Sequence, residues 1–204
     1  MELTDWLERC PLIAILRGVT PDEVLDIAAA LHEAGVAIIE VPLNSPDPIE
    51  SISRLVARFG DTLLLGAGTV RTAEQVEQIR VAGGRLIVTP HAAEAVVRAA
   101  KRHGMLACPG IVTPTEAFAM IDAGADGLKL FPAEAASPTV LRAMRAVLPP
   151  KLPIMPVGGI DAGNMSAWRA AGAAGFGIGG SIYKRGDTAA VVAGKAQALV
   201  AALA

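Results

Sequence analysis

A short apolar run followed by a helix-forming stretch recurs eight times along this chain. The runs are Leu12–Arg17, Ile38–Leu43, Leu63–Thr69, Leu86–Pro90, Leu106–Gly110, Gly127–Pro132, Ile154–Gly159 and Gly175–Gly180. Pro21–Ala34 is representative of the intervening stretches, with Val24, Leu25, Ala28 and Leu31 at helical spacing. Thr20-Pro21-Asp22-Glu23 reads as a helix start: a capping threonine, proline in the first turn, and acids at the positive end of the dipole. Thr113-Pro114-Thr115-Glu116 and Ser137-Pro138 repeat the device. Gly35, Gly83, Gly104, Gly124 and Gly172 each stand just past a helical stretch, where a left-handed cap fits. Eight alternations in 204 residues predict an α/β fold, a (β/α)8 TIM barrel with short loops, forming one domain over residues 1–204. Glu2–Arg9 is expected to add an N-terminal helix at the barrel's lower end. An open doubly wound sheet is the competing architecture, but its dinucleotide fingerprint is missing: after Gly66-Ala67-Gly68, Arg71 occupies the third glycine position.

The interior of such a barrel must be built from aliphatic side chains here, since hydrophobic residues make up 52 % of the chain and aromatics only 3 %. A net charge of -2 gives no footprint for nucleic acid or an anionic membrane. Cys10 and Cys108 are too few for a disulfide framework, and Cys108 reads as a small buried hydrophobe. The start Met1-Glu2-Leu3-Thr4-Asp5 is acidic, unlike a signal or transit peptide, and a cytoplasmic location is expected. His32, His91 and His103 lack a second ligand at metal-binding spacing, so no metal is expected.

Barrel sites lie at the C-terminal ends of the strands. Reading those ends collects Arg17, Glu40, Thr69 and Lys129. Leu128 and Leu130 flank Lys129 as Ile39 and Val41 flank Glu40, so alternation turns both charged residues inward. Sheltered from water, the lysine's ammonium form is disfavoured, and a neutral amine can attack a ketone to form a Schiff base. Two other readings stand beside that one: Lys129 snorkelling out at a strand end, or a structural ion pair with Glu40. A second cluster is glycine-rich: Val157-Gly158-Gly159 and Gly177-Ile178-Gly179-Gly180-Ser181 end the last two strands. Paired glycines on adjacent strands suit a phosphate held by backbone N–H groups, or simply tight turns. Tyr183, Lys184 and Arg185 read as a solvated helix face.

These residues together resemble the 2-keto-3-deoxy-6-phosphosugar acid aldolases over essentially the whole chain. The resemblance is carried by Pro11-Leu12-Ile13-Ala14-Ile15-Leu16-Arg17-Gly18, Glu40-Val41-Pro42-Leu43-Asn44-Ser45, Gly66-Ala67-Gly68-Thr69-Val70, Val88-Thr89-Pro90, Leu128-Lys129-Leu130-Phe131-Pro132 and Val157-Gly158-Gly159-Ile160. It implies a homotrimeric barrel, a Schiff-base lysine at Lys129, a proton-shuttling glutamate at Glu40, and neither cofactor nor metal. Members acting on the phosphogluconate-derived epimer carry arginine where Asn44 stands and threonine where Val157 stands. The chain is thus more similar to the branch acting on 2-dehydro-3-deoxy-6-phosphogalactonate, with pyruvate and glyceraldehyde 3-phosphate as products. In that branch Arg17 and the Gly68-Thr69 loop would hold the substrate carboxylate, and Pro90 and Phe131 would wall the pyruvate pocket. Val157 would face the epimeric hydroxyl, and Gly158, Gly159, Gly179, Gly180 and Ser181 would hold the phosphate. The gluconate epimer, 4-hydroxy-2-oxoglutarate cleavage, and a barrel that binds phosphosugars without cleaving them are the alternatives.

Overall fold

The computed structural model describes residues 1–203. Among these residues the strands are β1 (Leu12–Ile15), β2 (Ile38–Pro42), β3 (Leu64–Gly68), β4 (Leu86–Val88), β5 (Leu106–Cys108), β6 (Gly110–Ile111), β7 (Leu128–Leu130), β8 (Ile154–Pro156) and β9 (Phe176–Ile178). The helices are α1 (Leu3–Arg9), α2 (Val24–Glu33), α3 (Pro48–Phe59), α4 (Ala73–Val81), α5 (Glu94–Arg102), α6 (Pro114–Asp122), α7 (Pro138–Arg145), α8 (Met165–Ala170) and α9 (Ala189–Ala201). Every strand pairing is parallel. β5-β4-β3-β2-β1-β9 form a six-stranded sheet curled as a half-barrel, and β6-β7-β8 form a second sheet.

Pro109 is the reason there are nine strands where the sequence suggests eight. The run Leu106–Gly110 divides there, because proline has no N–H to donate to a ladder. β5 pairs with β4 before it, and β6 pairs with β7 after it. Pro109 still accepts through its carbonyl from the Lys129 N–H at 2.9 Å.

The strands are buried on both faces, as a parallel sheet between a side-chain interior and a helical layer requires. Ile38, Ile39 and Val41 are fully buried, each contributing ~1.5–3 kcal/mol by removal from water. α1 runs across the N-terminal edge: Leu3 packs beside Gly127 and Leu7 beside Gly175, the residues just ahead of β7 and β9. Arg9 and Arg85 flank the Trp6 ring of this helix at 4.7 and 5.7 Å.

The expected caps are present with one exception. Thr113 accepts from the Glu116 N–H at 3.3 Å and Ser137 from the Val140 N–H at 3.3 Å. The five glycines expected to end helices all have positive φ, from +67° to +100°. Thr20 makes no side-chain cap, and α2 begins only at Val24. Glu23 instead accepts from the Thr20 N–H at 2.9 Å and from the Tyr183 hydroxyl at 2.9 Å. A contact 160 residues away in sequence thus replaces the local one. Tyr183, expected on a solvated face, is buried for the same reason.

Candidate active site

Lys129 occupies the centre of β7 with Leu128 and Leu130 fully buried on the other side, and it is itself only 5 % exposed. Burial holds its ammonium below the ordinary lysine pKa; the Glu40 charge opposes that shift and the Arg17 charge reinforces it. Its Nζ lies 4.5 Å from the centroid of the Phe131 ring. Among the described residues no carboxylate comes within 4.0 Å of Lys129. The direct ion pair with Glu40 is therefore not formed, and neither does the lysine reach out to solvent.

Glu40 projects from β2 into the same interior, 1 % exposed. Burial raises its carboxyl to about 7, against the opposing pull of Lys129, Arg17 and the Gly68 N–H. Its Oε2 is buried without a hydrogen-bond partner. The carboxylate lies so close over Gly68 that a Cβ there would sit 2.0 Å from Oε2, so any larger residue would displace the carboxylate. Thr69, the next residue, is held at φ +58°, an uncommon conformation for a β-branched residue.

Above this interior opens a cleft of about 620 Å³. Of the residues expected at the site, Arg17, Lys129, Phe131, Val157, Gly158, Gly159, Gly179, Gly180 and Ser181 line it. Glu40 is buried and is not among the residues that line it. Gly68, Thr69 and Pro90 do not line the cleft. The Pro90 backbone instead abuts Gly110, the register partner of Lys129, so it backs the lysine rather than walling the pocket.

Val157 and Gly177 join the two sheets by a parallel bridge, and Gly177 faces the Val157 and Ile15 side chains. Gly158 and Gly159 have φ +109° and +64°, which turns the chain sharply at the end of β8. After β9, the Gly179 carbonyl accepts from the N–H groups of Ile182 and Tyr183 at 2.9 and 3.0 Å. That single turn leaves the Gly180 and Ser181 N–H groups as first-turn donors at the cleft wall.

Sequence reasoning missed Ile15, Glu134, Ile160 and Lys195, and it assigned Lys184 to a solvated face although the residue lines the cleft. Glu134 crosses Gly158 and Gly159 from the turn after β7. Lys195 donates to Asp187 at 2.5 Å, which holds that carboxyl below its usual range. Neither had a local signal. Lys195 is a lone cation in an apolar helix, and Glu134 lies just beyond a motif whose informative residues precede it.

Comparisons with known proteins bear directly on this arrangement. A family model described as "KDPG and KHG aldolase" matches residues 3–198. The 2-dehydro-3-deoxy-6-phosphogalactonate aldolase of Escherichia coli (strain K12) is 45% identical over 197 residues, covering 97% of this chain and 96% of that protein. A probable 2-dehydro-3-deoxy-6-phosphogalactonate aldolase of Rhizobium meliloti (strain 1021) is 48% identical over 192 residues, covering 94% and 91%. A solved native KDPGal structure superimposes with a TM-score of 0.94 at 45% identity, covering 96% of this chain and 95% of that one. The KDPG aldolase of Legionella pneumophila, solved with pyruvate captured as a covalent carbinolamine, superimposes with a TM-score of 0.88 at 25% identity, covering 98% of each chain. With a sheltered lysine, a carboxyl that titrates near neutrality and a glycine-walled cleft above them, the chain belongs to the KDPG and KHG aldolase family.

Proposed function

We propose that this aldolase reversibly cleaves 2-dehydro-3-deoxy-6-phosphogalactonate to pyruvate and D-glyceraldehyde 3-phosphate through a Schiff base on Lys129. The observation that carries the reading is one buried interior holding an amine and a carboxyl, both biased by burial toward their neutral forms. Two relatives of 45% and 48% identity bearing that substrate's name support the choice of epimer. So does Val157, whose side chain offers no hydrogen bond to a C4 hydroxyl.

In the proposed sequence the neutral Lys129 amine adds to the C2 carbonyl, giving a carbinolamine. The Glu40 carboxyl then gives its proton to the departing hydroxyl, and loss of water leaves a protonated imine conjugated with the substrate carboxylate, with Glu40 now ionised. The Glu40 carboxylate, acting through a water, takes the proton of the C4 hydroxyl. The C3–C4 bond breaks, its electron pair moves into the iminium, and the aldehyde departs. The remaining enamine takes a proton at C3, and water then releases pyruvate and restores the amine. Arg17, which lines the cleft, binds the carboxylate, while the Gly68-Thr69 loop, which does not line it, packs against Glu40. Gly158, Gly159, Gly179, Gly180 and Ser181 bind the phosphate, which holds the reacting carbons over the lysine.

The two sheets are best taken as arcs of one closed (β/α)8 barrel forming a single domain over residues 1–204. Continuity of β5 and β6 across Pro109 favours closure on one side, and the Val157–Gly177 bridge favours it on the other. No helix among the described residues is long and apolar enough to cross a membrane. We place the enzyme in the cytoplasm as a homotrimer, for which the exposed Val112 and Phe118 offer apolar surface to cover; sedimentation velocity reports the subunit number.

Turnover of the two epimeric phosphosugar acids on purified protein tests the substrate. Faster cleavage of the galactonate-derived acid is expected, and preference for the gluconate epimer overturns the assignment. Pyruvate, borohydride and peptide mapping test the chemistry: the reduced adduct is expected on Lys129 and nowhere else.

A further inference from the structure

We infer that Asn44 is a positioning residue for Arg17, so the loops after β1 and β2 together set the carboxylate site. The inference rests on the reading of Arg17 as the group that binds the substrate carboxylate. Arg17 follows β1 on an exposed loop, and a long cation there would ordinarily sample many rotamers. Instead its Nη1 donates to the Asn44 Oδ1 at 2.6 Å, while its guanidinium lines the cleft beside Lys129. An amide oxygen anchors one edge of the fork without neutralising the charge, leaving the remaining donors for a ligand.

The anchor is itself fixed. Ser45, buried next to Asn44, accepts from the Gly18 N–H at 2.9 Å, and its hydroxyl lies 3.5 Å from the Leu16 carbonyl. The Ser45 N–H also donates to the Pro42 carbonyl at 2.9 Å. The residues on either side of Arg17 are therefore clipped to the loop that carries Asn44. Rigid backbone on both strands, with one short side-chain bond between them, is the geometry of a pre-organised cation.

The test is the pyruvate concentration that gives half-maximal borohydride trapping, measured for the wild type, Asn44→Ala, Arg17→Ala and the double variant. Asn44 is exposed, so its truncation spares the core. Asn44→Ala is expected to raise that concentration about two- to tenfold, the range associated with ordering one long side chain, with the maximal extent of trapping unchanged. In the double variant Asn44→Ala is expected to add nothing to Arg17→Ala, since both remove the same contact. If Arg17→Ala weakens pyruvate while Asn44→Ala does not, or if the two effects add in full, the positioning role is wrong and the Arg17 reading survives. If Arg17→Ala itself leaves pyruvate trapping unchanged, the carboxylate reading of Arg17 falls, and the role of Asn44 falls with it.

Discussion

The interior around Lys129 and the glycine-walled mouth above it treat charge in opposite ways. Inside, two ionisable groups are almost wholly buried, and burial dominates the pKa of both. They do not pair directly, so neither neutralises the other by contact. At the mouth, Lys184 stands exposed and Lys195 is tied to Asp187, while the binding surface is mostly backbone from Gly158, Gly159, Gly179 and Gly180. In the proposed reaction the interior changes protonation state, and the mouth presents fixed dipoles to the substrate's phosphate, whose hold would cost little reorganisation. An aldolase needs both, because the covalent step occurs at one end of the substrate and the phosphate anchors the other.

Replacing Lys129 should break the contrast most completely. Lys129→Ala is expected to abolish turnover and the borohydride-trapped adduct, and Lys129→Arg should do the same because the guanidinium stays protonated. Phosphate binding at the mouth should persist in both variants, measurable by calorimetric titration with inorganic phosphate.

Glu40→Gln should slow cleavage by roughly 10²–10⁴-fold, the usual range for general acid–base work. Near-normal rates would falsify Glu40 as the base. The same variant also reads out in stability. Glu40 titrates in the folded protein at about 7, above its ordinary value of 4.5 in the unfolded chain. Stability is therefore full below the lower value, falls as pH rises between the two, and stays reduced above the upper one. Glutamine removes that penalty, on the order of 3 kcal/mol. Above pH 7 the variant should melt higher than wild type, and the melting curves should converge as pH falls toward 4.5.

At the mouth, Gly158→Ala tests the role of backbone. A Cβ at φ +109° would meet the Glu134 carboxylate at 2.0 Å. The KM for the phosphorylated substrate should rise about tenfold, equivalent to ~1.4 kcal/mol, with pyruvate trapping on Lys129 little changed. Equal damage to both readouts would mean that the two regions are not separable. The smallest effect belongs to Val157, at the joint between them. Val157→Thr adds one hydroxyl, worth about 1 kcal/mol when hydrogen-bonded, and should shift relative turnover toward the gluconate-derived epimer about fivefold. An unchanged ratio removes Val157 as a determinant of stereochemistry.

The inward placement of Lys129 and Glu40 was legible because it followed strand alternation. Lys129 and Glu40 each sit between two apolar neighbours, and a period of two admits only one inward direction. The glycines after β8 and β9 were legible for a similar reason: chain reversals at strand ends leave a local composition. Residues delivered from elsewhere were not. Glu134, Lys184 and Lys195 reach the cleft from a turn, a loop and a helix whose own patterns say nothing about the direction of a flexible side chain. Pro90, which the resemblance implied as a pocket wall, instead places its backbone against Gly110 and does not line the cleft.

The amino-acid order by itself determined the alternation of strand and helix, the left-handed glycine ends, and the inward turn of one lysine and one glutamate. These depend on spacing and local sterics, which the chain carries wherever it goes. Tertiary packing decided that Glu23 would accept from the Tyr183 hydroxyl. It also decided that Lys129 and Glu40 would share a buried interior without touching. Each of these is settled by contacts between segments far apart in sequence, and no local pattern encodes the distance between two side chains on different strands.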